Sequence, residues 1–385
     1  MKIKFLPAIF AACALALGAC SSDDPKPGNE TDEPAQDNAA ELDYSKTNAA
    51  SWGNYMLQVA SLLRDDANAL AAAWTDSYEG GAAFADQFKA HTGGDYTSAL
   101  SCIEQIIEGC ADIANEVGTA KIGDPYALYI AGDTQRALYA VESWYSWHSR
   151  EDYTNNIYSI RNSYYCSLDG TVAEKSLSAL IAAENPDLDS RVKKAIDDAA
   201  KAILAIPQPF RNNIASSETR TAMSACADLE EILSKDLKNA VDALAGDARL
   251  QDIVDNYVDV VVLPTYADLA AKNADLYTAV AAFKSNPSND KFSAACQAWL
   301  VAREPWECSE AFLFGPVDAL GLDPNMDSWP LDQDAIVQIL NSGNYDDLNW
   351  ADGDDDDKIE AVQSVRGFHT LEFLLFKDGQ PRKVN

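Results

Sequence analysis

Residues 357–376 read DKIEAVQSVRGFHTLEFLLF, and the periodicity of this stretch sets the fold class. Val362, Val365, His369, Glu372 and Phe376 recur at i, i+3, i+7, i+10 and i+14, which predicts one helix with these residues along a single stripe. Phe368, Leu371, Leu374 and Leu375 cover most of the remaining circumference, so the helix is expected to be buried on nearly every side. His369 and Glu372, three residues apart, then meet on one face. A carboxylate in such a place needs a hydrogen bond, an ion pair or a metal ion. Gly367 lowers helix propensity just upstream and points to close approach of another backbone or a ligand. Taken alone, the pair is better explained as a satisfied core histidine.

A helix that is apolar all round needs other helices about it, and the chain supplies them. Helical periodicity and abundant alanine predict long helices over 49–74, 97–117, 172–204, 217–244, 247–283 and 289–303. Shorter ones are expected over 127–147, 154–165 and 332–340. No set of evenly spaced alternating strands competes; Val258 to Leu263 is β-branched enough for a strand, but its surroundings favour helix. Pro264 should kink or interrupt its helix, because it lacks an N–H and clashes with the preceding turn. Pro305, Pro316, Pro324 and Pro330 mark the stretch from Arg303 to Asp332 as a structured loop. The expected fold class is all-α, with two helical bundles.

Composition narrows the function classes. The chain has 385 residues and a formal net charge of -32, with 47% hydrophobic and 23% charged residues, an ordinary globular balance. Such acidity argues against nucleic acid, whose phosphates require clustered Lys and Arg, and favours cations or cationic ligands. With 3 histidines in all, a multi-histidine metal centre is excluded. The run Asp352 to Asp357 lacks the alternate-oxygen frame and closing Glu of a calcium loop. It reads as a solvated loop that places negative charge at the next helix's N-terminus.

The N-terminus carries an address. Lys2 and Lys4 precede an apolar run from Phe5 to Leu17, and Leu17-Gly18-Ala19-Cys20 forms a lipobox. The run is far short of the ~20 residues of a membrane-spanning helix. Residues 1–19 are therefore expected to be a lipoprotein signal peptide, and Cys20 the acylated start of the exported chain. Residues 20–42, rich in Pro, Asn, Asp and Glu, read as a flexible acidic tether. Ser21-Ser22-Asp23-Asp24 resembles the acidic tag of lipoproteins passed to the cell surface, so an outer-membrane lipoprotein is expected, facing the periplasm or exposed at the surface. Cys102, Cys110, Cys166, Cys226, Cys296 and Cys308 follow. Export permits disulfides, but no CxxC occurs and most are expected to be small core residues of helices.

Three blocks carry a family resemblance. Gly367-Phe368-His369-Thr370-Leu371-Glu372 resembles the GxHxxE motif of the imelysin family, also known as M75 peptidases. Trp299-Leu300-Val301-Ala302-Arg303-Glu304-Pro305-Trp306, Ser309-Glu310-Ala311-Phe312, Gly315-Pro316-Val317-Asp318 and Trp329-Pro330-Leu331-Asp332 resemble its WLxAR-x-P-aromatic, T/S-E-A-F, GPxD and WPLD runs. Glu142-Ser143-Trp144-Tyr145-Ser146, with Asp152 and Asn155 or Asn156, resembles ESxFS…D…N. The usual order places the third block last; here it comes first, which looks like a circular permutation. On that reading residues 43–92 pack with 251–385 as the bundle carrying GxHxxE, and 93–250 form the second bundle carrying ESWYS. A contiguous split near residue 170 is the plain alternative.

The resemblance implies an exported or lipid-anchored protein linked to iron acquisition and metal binding, with its motifs meeting between the bundles. His369 and Glu372 would be the metal pair and, for any catalysis, the candidate catalytic residues. Glu310, Asp318, Glu142 and Ser143 would be neighbours, Arg303 would orient a carboxylate, and Trp306 would close the pocket. By ligand type such a site suits iron or zinc, with haem also open. The ligand would be a metal ion or an iron-containing molecule, and envelope transport proteins the natural partners. Metal or ligand capture is the first reading. The second is a metal-dependent peptidase using the same pair, although no HExxH is present. The third is a surface interaction protein whose His/Glu pair is structural.

Overall fold

The computed structural model describes residues 42–384 apart from 93, 95 and 352. The signal peptide, Cys20 and the tether as far as residue 41 lie outside the described residues. The principal helices are α1 (Ala49–Thr75), α2 (Ala99–Glu116), α3 (Ser149–Tyr165), α4 (Pro186–Ala205), α5 (Ser217–Glu231) and α6 (Arg249–Tyr257). They are followed by α7 (Leu263–Ser285), α8 (Asn289–Glu307), α9 (Leu322–Asp327), α10 (Gln333–Ser342), α11 (Asp356–Gln363) and α12 (Gly367–Leu375). The fold is all-α. Among the described residues the one sheet is a two-stranded hairpin, β1 (Phe376–Lys377) paired antiparallel with β2 (Gln380–Pro381), and no helix is long and apolar enough to cross a membrane.

Two bundles share the helices between them. In the first, α1 and α7 run antiparallel. Tyr44, just ahead of α1, packs on Phe283 near the end of α7 with ring centroids 5.5 Å apart. At the other end Trp74 packs on Tyr266 at 5.8 Å. A short turn then carries α7 into α8, fastened by Phe283 against Phe292 at 4.2 Å. α12 closes this bundle from the inside: Trp52 Nε1 donates to Leu374 O at 3.0 Å, and Trp299 Nε1 donates to Phe368 O at 2.9 Å. The second bundle is built from α2, α3, α4 and α5. α3 touches both, packing on α2 and α4 within its own bundle and on α8 and the Glu310–Phe312 turn across the interface. Gly109 of α2 permits this junction, since a Cβ there would stand 2.2 Å from Ala311 O.

Local chemistry explains where the elements begin and end. Ser98 caps α2 through a reciprocal pair of bonds with Ser101. Asn185 caps α4, with Pro186 in its first turn, so the helix expected over 172–204 is divided into Leu177–Glu184 and α4. Pro264 lies just inside α7, and the chain widens into a π turn at Val258–Val262 immediately before it. The missing N–H is thereby absorbed without a break, and the β-branched run is helical rather than a strand. α8 likewise runs through Pro305 as far as Glu307.

The larger departure is at residues 357–376, which are two helices rather than one. α11 ends at Gln363 and α12 starts at Gly367, whose φ of +87° belongs to the left-handed region. A Cβ on Gly367 would meet Met326 O at 2.5 Å, so close approach of another backbone is what the glycine serves. The five-residue stripe therefore does not exist, and Phe376 begins the hairpin. Every residue of α12 is nevertheless buried, as its apolar circumference requires. The helix expected over 127–147 is also divided, into Gly123–Ile130 and Thr134–Ala140, and stops early. Val141 to His148 form a compact turn in which Ser143 (φ +52°) and Trp147 (φ +60°) are left-handed. The hairpin turn holds it: Gly379 N donates to Tyr145 O at 2.9 Å.

All six described cysteines are free thiols, and all but the half-buried Cys308 are buried. The first and last described segments lie side by side, with Arg382 Nη1 donating to Leu42 O and to Asp43 Oδ1, both at 2.8 Å.

Candidate functional site

The polar residues gather where the two bundles meet. α12 contributes His369 and Glu372, both with 0% exposure, and α8 contributes Arg303 and Glu307, likewise at 0%. The turn before α3 supplies Glu142, Ser143 and Ser146, and α3 itself supplies Asp152 and Asn156. Asp327 ends α9, and Lys121 ends the π turn that follows α2. His369 Nε2 lies 3.3 Å from Glu142 Oε1 and 3.1 Å from Asp327 Oδ1. Its Nδ1 faces the opposite way, 3.1 Å from Glu372 Oε2. Trp329 packs edge-on against the imidazole at 4.9 Å.

Arg303 sits among the acids. Its Nη2 is 2.7 Å from Glu142 Oε1 and 2.5 Å from Glu307 Oε1, its Nε 3.4 Å from Asp152 Oδ2, and its Nη1 pairs with Asp327 Oδ1. Nη2 also lies 3.2 Å from His369 Nε2, where guanidinium and ring compete for the same carboxylate oxygens.

Three of the side chains around Arg303, Glu142, Asp327 and His369, are each fixed a second time from behind. Glu142 Oε2 accepts from Lys121 Nζ at 3.0 Å, and Asp327 Oδ2 accepts from Trp306 Nε1 at 2.7 Å. His369 is backed by Glu372, itself held through Oε1 by Ser146 N at 2.8 Å and Ser146 Oγ at 2.7 Å. Ser143 Oγ donates to Asp152 Oδ2 at 2.5 Å, and Asn156 Nδ2 donates to Glu307 Oε2 at 2.6 Å.

Burial dominates the electrostatics and the neighbours decide its outcome. Burial and the Arg303 guanidinium both disfavour a charged imidazole, yet Asp327 and Glu142 overcome them and hold His369 well above the ordinary histidine range. Burial works against ionised Glu142 too, but Lys121, His369 and Arg303 together keep its carboxyl below the usual value. Asp327 is lowered against burial by Arg303 and His369. Burial prevails over Arg303 at Glu307 and over Lys121 at Glu310, and both carboxyls are pushed well above the glutamate range.

The structure thus brings together His369, Glu372, Arg303, Glu142, Ser143, Trp306 and Glu310 of the residues singled out from sequence. Glu310 stands with Glu307 and Asp327, one carboxylate oxygen of each lying within 4.8 Å of the others. Asp318 is not brought in. Gly315 turns the chain with a φ of +65° and Pro316 starts a short helix, which leaves Asp318 exposed on the surface. Glu372 belongs to the cluster but not to the face that Nε2 addresses, since it occupies the Nδ1 side. Of the other histidines, His148 Nε2 lies 3.8 Å from Asp152 Oδ1 at the rim of the cluster, while His91 pairs with Gln251 elsewhere.

Asp327, Glu307, Lys121, Ser146 and Trp329 were not legible as site residues. Glu307 carries a signal in its i, i+4 spacing from Arg303, and Trp329 in its WPLD block. Asp327 and Lys121 carry none, because only the ends of α9 and of the π turn aim them inward.

The donor set suits a metal ion in its chemistry. Glu142, Asp327 and His369 each offer one ligand atom, all within 4.8 Å of one another, close to the span that ligand bonds of about 2.1 Å allow. One imidazole with two carboxylates fits iron or zinc by ligand type. A histidine whose second nitrogen faces a carboxylate is oriented as metal-binding histidines are. The guanidinium of Arg303 stands among the same atoms.

Comparison with known proteins agrees with this architecture. The family model for peptidase M75, described as imelysin, matches residues 28–235 and 262–384. A crystal structure described as an imelysin peptidase from Bacteroides ovatus is 62% identical, covers 90% of this chain and 100% of its own, and superposes with a TM-score of 0.88. Iron-regulated protein A of Synechococcus elongatus is 36% identical over 135 residues, which is 33% of this chain. The match spans about a third of that relative, 32% of its length.

Proposed function

This chain belongs to the imelysin family, and on that premise we propose that it captures a metal ion, iron foremost, in the cell envelope through Glu142, Asp327 and His369. The observation that carries the reading is the convergence of three ligand atoms from separate elements, each on a side chain anchored from behind by Lys121, Trp306 or Glu372. Such anchoring fixes ligand orientation before an ion arrives and lowers the ordering entropy of binding. A free ion is favoured over haem because His369 is wholly buried and covered by Trp329. The name of the Synechococcus relative, iron-regulated protein A, supports the iron assignment. The lipobox at Cys20 and the acidic tether support an outer-membrane lipoprotein working beside envelope transport proteins. The division into 43–92 plus 251–385 and 93–250 belongs to the same reading.

A bound ion would supply positive charge to a cluster that holds more carboxylates than cations. The chain's residues do the rest. Glu142 and Asp327 stay ionised, Glu372 orients the ring, and the proton on Nε2 must leave for that nitrogen to ligate. Elemental analysis after dialysis against iron and against zinc, with His369→Ala alongside, tests the proposal. One ion per chain, lost in the variant, is expected; no ion in either protein overturns it.

One observation favours peptide hydrolysis as a second reading. Glu310, kept protonatable by burial, stands beside Asp327 and is free of the ligand trio. Cleavage abolished by a chelator and by Glu310→Gln is the expected sign of that activity.

A further inference from the structure

We propose that Arg303 is the resident cation of this site, that a metal ion enters by exchanging with its guanidinium, and that this exchange sets which ions are admitted. The inference rests on the metal-capture reading and concerns its selectivity. Arg303 is wholly buried, and its contacts divide into two groups. Within the ligand trio, Nη1 and Nη2 reach Asp327 Oδ1, Glu142 Oε1 at 2.7 Å and His369 Nε2 at 3.2 Å, the same three atoms that would ligate an ion. Two cations cannot share that space, since both need the same lone pairs and repel strongly away from water.

The same guanidinium also contacts acids outside the trio. Glu307, one turn along on α8, is 2.5 Å from Nη2, and Asp152 Oδ2 is 3.4 Å from Nε. The Phe368 ring lies 5.3 Å from the guanidinium carbon. Withdrawal of Arg303 therefore needs only a swing of the side-chain end onto the carboxyl groups of Glu307 and Asp152, which it already contacts. The trio does not follow it. Lys121 keeps Glu142, Trp306 keeps Asp327 and Glu372 keeps His369, each through an atom that Arg303 does not touch. What remains is a preformed cation socket.

An entering ion must outbind a guanidinium held by several carboxylates. Weakly ligating hard dications such as Ca²⁺, which take six to eight oxygens, fail that competition at a site with three ligands. Fe²⁺ and Zn²⁺, which bind imidazole and carboxylate strongly, succeed. Arg303 is thus a specificity-determining residue.

The test is calorimetric titration of the purified protein, Arg303→Leu and Arg303→Lys with Zn²⁺, anaerobic Fe²⁺ and Ca²⁺, with circular dichroism as the folding control. Arg303→Leu should bind Zn²⁺ or Fe²⁺ at least tenfold more tightly than the unsubstituted protein and should acquire Ca²⁺ binding, with Arg303→Lys between them. Should the Leu variant fail to fold, Arg303→Leu with Glu307→Gln removes the cation and one acid together and carries the same expectation. Ions bound by the unsubstituted protein but no tighter by the folded variants, and no gain of Ca²⁺, would overturn exchange while leaving metal capture intact. No ion bound by any of the proteins overturns both. An ion bound by Arg303→Leu alone overturns exchange as well, because the guanidinium then keeps ions out of the native site instead of giving way to them.

Discussion

Glu372 concentrates the chemistry of the site in one side chain. It spends one oxygen on Ser146 N and Oγ and sets the other against His369 Nδ1. Glu372→Gln would turn an amide NH₂ toward a group that is itself a donor, so about 1–3 kcal/mol of stability should be lost. Because the ring then loses its orienting acceptor, metal affinity should fall roughly 10–100-fold. Denaturant unfolding and titration of the same samples check both numbers. Proton competition gives a second expectation. The carboxylates hold His369 above the ordinary range, so metal binding should weaken steadily as pH is lowered through 7, with proton release measurable in buffers of different ionisation enthalpy. Glu310 has the opposite linkage sign in the metal-free protein. Its folded value is raised above its unfolded one, so the unfolded chain sheds this proton first and stability falls as pH rises past the ordinary glutamate value. Glu310→Gln removes that loss: with chelator present, the variant should match the parent near pH 4.5 and melt higher near pH 8.

At the scale of elements, the junction of α9 with α12 decides whether the site assembles. Gly367 starts α12 in the left-handed region with the Met326 carbonyl where a Cβ would be, and Met326 adjoins Asp327. Gly367→Ala should therefore cost more than the roughly 1–2 kcal/mol of a left-handed alanine, and should also weaken metal binding by displacing Asp327. Gly343→Ala is the control, having a φ of +66° and only Tyr345 Oη, at 4.0 Å, near the added carbon. Equal losses at the two positions would show that the Met326 contact is immaterial. The same junction shows what sequence could convey. α1 and α7 were legible because periodicity and composition agree along their length. The break inside 357–376 was not, because the apolar pattern runs straight through it and only the Met326 backbone, distant in the chain, forces the turn. His369 and Glu372 survive the misreading, since both lie within α12. Asp318 does not, because a shared motif fixes a residue's type while the glycine turn at Gly315 fixes its direction.

For the whole molecule, the two bundles are joined through charged groups as well as apolar ones. Glu142 hangs from the second bundle, whereas His369 and Asp327 belong to the first, so an ion bound by all three is a link between bundles. The first and last described segments lie side by side, tied by Arg382 to Leu42 and Asp43. A ligand that binds only the folded state stabilises it by about 2.7 kcal/mol at a hundred times its dissociation constant. For a chain of this size that amounts to a rise in Tm of about 5 °C, taking about 2 °C per kcal/mol. Since the ligands come from both bundles, calorimetry should show the shift across the entire unfolding transition, or in both components if the bundles melt separately. His369→Ala should abolish it. A shift confined to one component would place the ion within a single bundle and remove Glu142 from its ligands; the companion variant Glu142→Gln would then keep the full stabilisation instead of losing it.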